Sequence, residues 1–329
     1  MASLHGRTVR VAGAGALGLS IAVELADAGA AVTVFDPSPE TSASAAAAGM
    51  LAPVFEAVLD PVARGHFALL LAARDAWPAF AERIGILLDR SGATYAGERS
   101  LEVRKAVADL GVASEVRREG LFVGDDWRLD AEIALERLRE AAVDRGVAFV
   151  NAPLEDPDGV EAVAATGWQG LKWAPESVMI SAIKGQIIRM SDGPLANRTV
   201  GPVERRDGGY IAPGVSGAMV GATMQSGRTD RVGDEAIVDL VERTFPELSA
   251  APVYGGDVRV GIRGATPDGL PLVGPSIRPG VWIAMGARRN GWLLAPLVAA
   301  ITRAYLAGED PGPWAPNLDA RRFTAPEEP

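Results

Sequence analysis

Val11-Ala-Gly-Ala-Gly-Ala-Leu-Gly18 sets three glycines, Gly13, Gly15 and Gly18, in the spacing G-x-G-x-x-G. Before it, Val9, Val11 and Ala12 read as a short buried strand. After it, Leu17 to Ala28 has the spacing and residue types of a helix, and Gly29 ends it. Ala31 to Phe35 is a second apolar strand closing at Asp36, and Pro37 then breaks regular structure. In such a strand–turn–helix–strand unit each glycine has its own task. Gly13 permits the tight turn, Gly15 lets the backbone approach a pyrophosphate, and Gly18 lets the helix pack against its strand. The first helical amides, at Ala16 and Leu17, face a diphosphate, and the Asp36 carboxylate is placed for a ribose diol. The stretch therefore predicts a dinucleotide site. By itself it does not separate FAD from NAD.

The rest of the composition narrows the chemistry. The chain has 329 residues, 48% hydrophobic and 22% charged, enough for one large or two modest domains. A net charge of −10 argues against a nucleic-acid surface, which needs a basic stripe. With no cysteine there is no disulfide, thiolate nucleophile or cysteine metal site, and two histidines, His5 and His66, cannot furnish a histidine-based triad or metal cage. No metal is expected. The N-terminus shows no signal-peptide pattern and the apolar tracts are too broken to span a bilayer, which predicts a cytoplasmic protein. The oligomeric state is not readable, and a homo-oligomer is left open.

Further along, residues 60–86 look helical, with Trp77-Pro78 as an interruption, and a helix is expected near Glu102 to Asp109. Leu129 to Arg145 reads as an amphipathic helix with Asp130 near its cap and Gly146 after its end. Val147–Val150 and Val160–Thr166 read as strands. From Ile180 to Met190 the pattern turns alternating and β-branched, and strand pieces follow at 210–223 and 253–262, with a helix at 234–245 between them. Val281–Met285 is a strand, Trp292–Leu306 an apolar helix, and the proline-rich tail after Asp310 an extended wrap. The expected fold class is α/β: a Rossmann-type dinucleotide-binding domain interleaved with a mostly antiparallel α+β domain.

Several segments together resemble the glycine oxidase branch of the D-amino-acid oxidase family of FAD-dependent oxidoreductases, the type associated with the thiazole of thiamine. Ser42 to Met50 is similar to the family's small-residue loop, Ile183-Lys184-Gly185-Gln186 to its K-G-[QE] turn, and Val163 to Gly167 to a strand-turn near flavin-linked phosphates. Tyr210-Ile-Ala-Pro, Val220 to Met224, and the run Gly261 to Leu294 match substrate-domain strands and the C-terminal signature. The resemblance implies FAD as cofactor, a small amino acid as substrate and O2 as acceptor, giving an imine and H2O2. It implies that Ser42, Ser44, Ala47, Ala48, Gly49, Met50, Leu154, Thr166, Gly167, Ala287, Arg288, Asn290, Gly291, Trp292 and Leu293 join Gly13, Gly15, Ala16, Leu17, Gly18, Asp36 and Pro37 in holding FAD. It implies that Arg263 binds the substrate carboxylate with Tyr210, and that Arg289 and Met224 line the pocket. An arginine suits a carboxylate because its planar fork binds it bidentately.

Two departures stand out. Ala287 occupies the position where relatives usually carry a histidine, and the segment between Leu154 and Val160 is shorter than the family's antiparallel meander. The expected division is 1–75, 126–183 and 257–329 for the FAD domain, and 76–125 and 184–256 for the substrate domain. Three other readings stay open at this point: an FAD-dependent dehydrogenase with a non-O2 acceptor, a non-catalytic flavin-binding protein, and an NAD-linked enzyme.

Overall fold

Val9 and Val11 alternate with the charged Arg10 to give β1 (Thr8–Ala12), whose valines face one helix layer. A computed structural model describes residues 3–191, 195–248 and 257–324. In it β1 pairs in parallel with β2 (Ala31–Phe35) on one side and β9 (Glu161–Ala164) on the other. The sheet is completed by β8 (Ala148–Val150) beside β2, β17 (Val281–Met285) beside β9, and β16 (Leu272–Pro275) antiparallel at the edge. Helices α1 (Ala16–Asp27), α6 (Ala131–Asp144) and α8 (Gly291–Ala307) cover one face. On the opposite face Ala162, Ala164, Ile283 and Met285 pack around Trp173. Asp130 caps α6, accepting from the Glu132 and Ile133 amides at 3.2 Å.

The second sheet has nine strands among the described residues. Near one end of it β10 (Ser181–Met190) carries β15 (Asp257–Ala265) along one edge, in register from Ser181↔Ala265 to Arg189↔Asp257. Its other edge is shared by β13 (Ala218–Gly221) and β14 (Gln225–Ser226). Beyond β13 come β12 (Gly209–Ala212), β11 (Val203–Arg206), β4 (Ala93–Tyr95), β6 (Gly120–Val123) and β5 (Ser114–Arg117). Helices α2 (Pro53–Leu59) and α5 (Ser100–Asp109) pack on one face, and α7 (Ala236–Thr244) packs on the other. Strand β3 (Met50–Leu51) pairs with β7 (Trp127–Arg128), and the helices α3 (Phe67–Asp75) and α4 (Trp77–Ile84) pack on α8 and α6 in the core of the first sheet. Among the described residues no helix is long and apolar enough to cross a membrane.

Several expectations need correction. Ile183–Gln186 is not a turn but the middle of β10: the Lys184 and Gln186 side chains are satisfied by Asp230, Asp234 and Gln225, so the segment can run straight. Arg263 lies inside β15 rather than after a strand. The stretch 60–86 is broken at Asp60, where the aspartate takes the Val62 amide (3.0 Å), and a helix unforeseen from the pattern, α2, precedes it. Val253, the expected start of the strand at 253–262, lies outside the described residues; β15 begins at Asp257. The tail is not wholly extended, since α9 (Ala315–Leu318) forms one turn that buries Leu318. Because β15 pairs with β10 over its whole length, residues 257–265 belong to the second sheet, as do 181–183.

Trp77 ties α4 to α8. Pro296 sits inside α8 and has no N–H to give the Trp292 carbonyl, the partner of the residue four positions later. The buried Trp77 indole supplies that bond instead, at 3.0 Å to the Trp292 oxygen and 3.2 Å to that of Leu293.

Candidate active site

The glycine turn between β1 and α1 is as close-packed as its spacing requires. A Cβ on Gly13 would overlap the carbonyl of Ala165, and one on Gly18 would overlap the carbonyl of Gly13. Asp36, at the end of β2, is held by the Ala14 amide (2.7 Å) and the Ser38 amide (2.9 Å), which presents a carboxylate beside the turn. The first helical amide, Ala16, donates to Ser44 Oγ at 2.9 Å, and the Trp292 indole donates to the Ser44 carbonyl at 3.1 Å. The small-residue loop is thus tied to the N-termini of both α1 and α8. Its alanines are small because they lie on the second sheet: a Cβ on Gly261 would stand 3.0 Å from Ala43 Cα. Amides at a helix N-terminus, a hydroxyl and a carboxylate form a donor and acceptor set that suits a diphosphate and a ribose.

Where this loop meets β10–β15 there is a cavity of about 280 Å³. Ala47, Ala48, Gly49 and Met50 form one wall, Asn290, Trp292 and Arg289 another, and Tyr210, Met224 and Arg263 the sheet side. Of the four residues expected to touch substrate, all four line this one space. Met224 is 40% exposed, so it is a wall residue and not core filler. The remaining expected residues lie elsewhere. Ser42 accepts from the Ala45 amide within its own loop (3.2 Å), and Pro37 is exposed beyond β2. Thr166 donates to the Gln169 carbonyl (2.6 Å), and the Gly167 carbonyl lies where a Cβ on Gly264 would be. Leu17 and Leu293 are core residues whose backbone, not side chain, is at the helix starts. Leu154 is turned into the core and its carbonyl is taken by the Trp173 indole at 2.9 Å. Ala287 is bridged to Ala265, a backbone splice between the two sheets.

Arg263 reaches the cavity over Gly185, whose missing side chain makes room for the guanidinium: a Cβ there would overlap Nη1, Cζ and Nη2 alike. Its Nη1 donates to the Thr223 carbonyl at 3.1 Å and lies 3.2 Å from Met224 Sδ, and it forms no ion pair among the described residues. Burial, against the opposing pull of Tyr210, brings it down to about 10. Burial likewise raises the Tyr210 phenol above its ordinary range. Arg289 is different. Its Nε pairs with Glu56 Oε1 at 2.9 Å and its Nη1 lies 3.6 Å from Asp60, and the Glu56 charge raises its pKa. Arg288, at φ +50, is turned away to pair with Asp60.

Glu56, Asp60 and Arg205 were not foreseen. Glu56 and Asp60 are two acids one helical turn apart in the apolar run Pro53 to Asp60, and that isolation was the available signal. Arg205 carries no such mark in the sequence. Glu56 is the one carboxylate among the described lining residues, and it is engaged by Arg289. Among the described residues no group of three or more acids or histidines is placed to hold a metal ion.

The model of the FAD-dependent oxidoreductase family matches residues 8–305. The chain belongs to that family, and its cofactor is FAD. It is 27% identical over 181 residues to the glycine oxidase of Pseudomonas putida, covering 50% of this chain and 48% of that one. It is 29% identical over 217 residues to the tRNA 5-methylaminomethyl-2-thiouridine biosynthesis bifunctional protein of a Caulobacter species, covering 61% of this chain and 34% of that one. The chain thus spans about half or less of the length of these curated relatives. The crystal structure of glycine oxidase from Geobacillus kaustophilus superposes with a TM-score of 0.77 at 22% identity, over 97% of this chain and 100% of that one, which establishes the shared fold. The expected resemblance and α/β fold class are borne out at that level.

Proposed function

We propose that the chain oxidises the Cα–N bond of a small amino acid (glycine, sarcosine or a small D-amino acid) to an imine that water converts to the 2-oxo acid. Electrons pass to O2 to give H2O2, and thiazole synthesis for thiamine is the metabolic corollary. The observation that carries this reading is Arg263, a guanidinium on the wall of the cavity with no carboxylate partner among the described residues. An always-charged fork in that state is a receptor for a carboxylate. Bound FAD would accept the hydride, and with it the two electrons, that leaves the substrate Cα.

The protein's own groups bind and orient. Arg263 takes the carboxylate, with the Tyr210 phenol donating beside it. Glu56 is ion-paired with Arg289, and an amine that arrives neutral can give up hydride with no side chain taking its proton. Met224 and Trp292 shape the walls. The FAD is held by the Gly13–Gly18 turn, Asp36, the Ser42–Met50 loop and the start of α8. The domain division that goes with this reading gives 257–265 and 181–183 to the substrate domain with 76–125 and 184–256, and the remainder to the FAD domain.

The test is a panel of glycine, sarcosine, small D-amino acids and cyclic imino acids, read by H2O2 release and oxygen uptake. Turnover with oxygen uptake is expected. Flavin bleaching by an amino acid under anaerobic conditions without oxygen uptake in air would move the assignment to a dehydrogenase. No bleaching by any amine would remove the reaction altogether.

A further inference from the structure

Five arginines line the cavity: Arg99, Arg205, Arg206, Arg263 and Arg289. Three of them are paired, Arg99 with Asp207, Arg206 with Glu247 and Arg289 with Glu56. The other two form no ion pair among the described residues, and each is met by a methionine sulfur, Arg263 having the Thr223 carbonyl as well. Arg263 has Met224 Sδ at 3.2 Å, and Arg205 has Met50 Sδ at 3.1 Å. A thioether is a weak acceptor, and methionine has three rotatable bonds with which to withdraw.

Arg205 is the less expected of the two. It lies on β11, directly across the ladder from Tyr210, and is 3% exposed. Its Nε is buried with no hydrogen-bond partner. The carboxylates whose charge reaches it, Asp126 and Glu56, are committed elsewhere. Asp126 accepts from the Val54 and Phe55 amides at 2.8 and 3.0 Å, and Glu56 pairs with Arg289. Besides that sulfur the guanidinium has only the Phe55 ring, 5.9 Å from Cζ to its centroid, so most of its five donors are unmatched, an unfavourable arrangement for a buried cation unless an anion arrives to complete it.

We propose that Arg205 and Met50 form a second anion subsite opposite Arg263 and Met224, and that the preferred substrate is an amino acid bearing a second carboxylate. One carboxylate lies on Arg263 and Tyr210, the other displaces Met50 from Arg205, and the amine lies between them. With two carboxylates bound, every arginine lining the cavity has an anionic partner. The substrate class rests on the amine-oxidising reading above. The subsite itself does not, because it is defined by binding.

The test uses the FAD-loaded protein and calorimetric titration with unreactive acids: malonate, succinate and glutarate against acetate, propionate and butyrate. At least one dicarboxylate is expected to bind ~10-fold or more tightly than its monocarboxylate counterpart, the smallest gain expected from pairing a desolvated charge. Arg205→Met, which replaces the buried cation by an apolar chain of similar length, is expected to remove that difference. Arg205→Lys, which keeps the charge without the fork, is expected to keep only part of it, and stands in should Arg205→Met fail to fold. Equal binding of the two acid series to the wild type, or an undiminished dicarboxylate preference in both variants, overturns the subsite. In parallel, N-(carboxymethyl)glycine is expected to exceed glycine and sarcosine in kcat/KM by a similar factor. Dicarboxylate preference with no turnover of any amine would sink the reaction and leave the subsite standing. Turnover of glycine without dicarboxylate preference would do the reverse.

Discussion

The guanidinium of Arg263 occupies the space that a side chain at Gly185 would fill. The two residues are on neighbouring strands, and the glycine is what lets the arginine lie flat over the sheet and face the cavity. Gly185→Ala is therefore expected to expel the guanidinium and to weaken amino-acid binding by a margin like that of losing Arg263 itself. FAD content should remain near that of the wild type. An unchanged KM in Gly185→Ala would show that the arginine finds its place without this clearing.

Arg263→Ala is expected to cost on the order of 2–5 kcal/mol in binding of an amino acid, the range for a desolvated charge that loses its partner. The corresponding decarboxylated amine should lose far less, since it never engaged the arginine. Kinetic series on the two substrates, in wild type and variant, measure this. Equal losses on both would move the carboxylate site to another arginine.

Gly18→Ala places a methyl group on the carbonyl of Gly13, where α1 crosses its own turn. The helix has to move outward, taking the Ala16 amide with it. The purified variant is expected to be largely free of flavin, which its visible absorbance reports directly. A fully yellow Gly18→Ala protein would contradict the placement of the diphosphate at this turn.

Burial of Asp126 raises its carboxyl from the ordinary range to about 6, against the lowering effect of Arg205 and the Phe55 and Val54 amides. The folded protein therefore holds a proton that the unfolded chain releases between pH ~4 and about 6. The contribution of this group is present in full below pH ~4 and is lost as pH rises to about 6, in total on the order of 3 kcal/mol. Asp126→Asn cannot titrate. The stability difference between wild type and Asp126→Asn, from denaturant curves, should change across that window and be flat above it. A difference independent of pH would mean that Asp126 keeps an ordinary pKa.

Trp77→Phe leaves the Trp292 carbonyl, already without a helical donor because of Pro296, with no hydrogen bond from the indole. A buried carbonyl so exposed costs ~1–3 kcal/mol, to be read as a lower denaturation midpoint. A change below ~0.5 kcal/mol would indicate that another donor takes over.

How much of this was legible beforehand follows from the range of the interactions. The β1–α1–β2 unit is local: its strand, glycines, helix and Asp36 fall within thirty consecutive residues, and its bounds were readable almost to the residue. The four cavity residues Tyr210, Met224, Arg263 and Arg289 were reached through a family pattern spread over the chain. Arg205 was not, because its importance comes from what it lacks, a carboxylate partner, and that is visible only once the fold has brought Glu56, Asp126 and Met50 around it. Lys184-Gly185-Gln186 was misread as a turn for the same reason. Its lysine and glutamine find acids some forty to fifty residues away, and its glycine serves an arginine almost eighty residues on. Glu56 lies on a helix of only seven residues, too short for periodicity to reveal, and Asp60 is the residue just past its end.

The strands of the two sheets alternate along the chain: β1 and β2, then β4 to β6, then β8 and β9, then β10 to β15, then β16 and β17. Four passages between layers mean that neither half is a contiguous length of polypeptide. No single cut liberates one of them whole, and a truncation from either terminus that removes a strand breaks the first sheet, which uses β1 and β2 from one end and β16 and β17 from the other. A protease that nicks a surface loop should yield fragments that stay together until denaturant is added. The same threading makes the ends of β1, β2, β10 and β15 depend on one another, so the molecule is expected to gain or lose its cofactor pocket as a unit and not by halves.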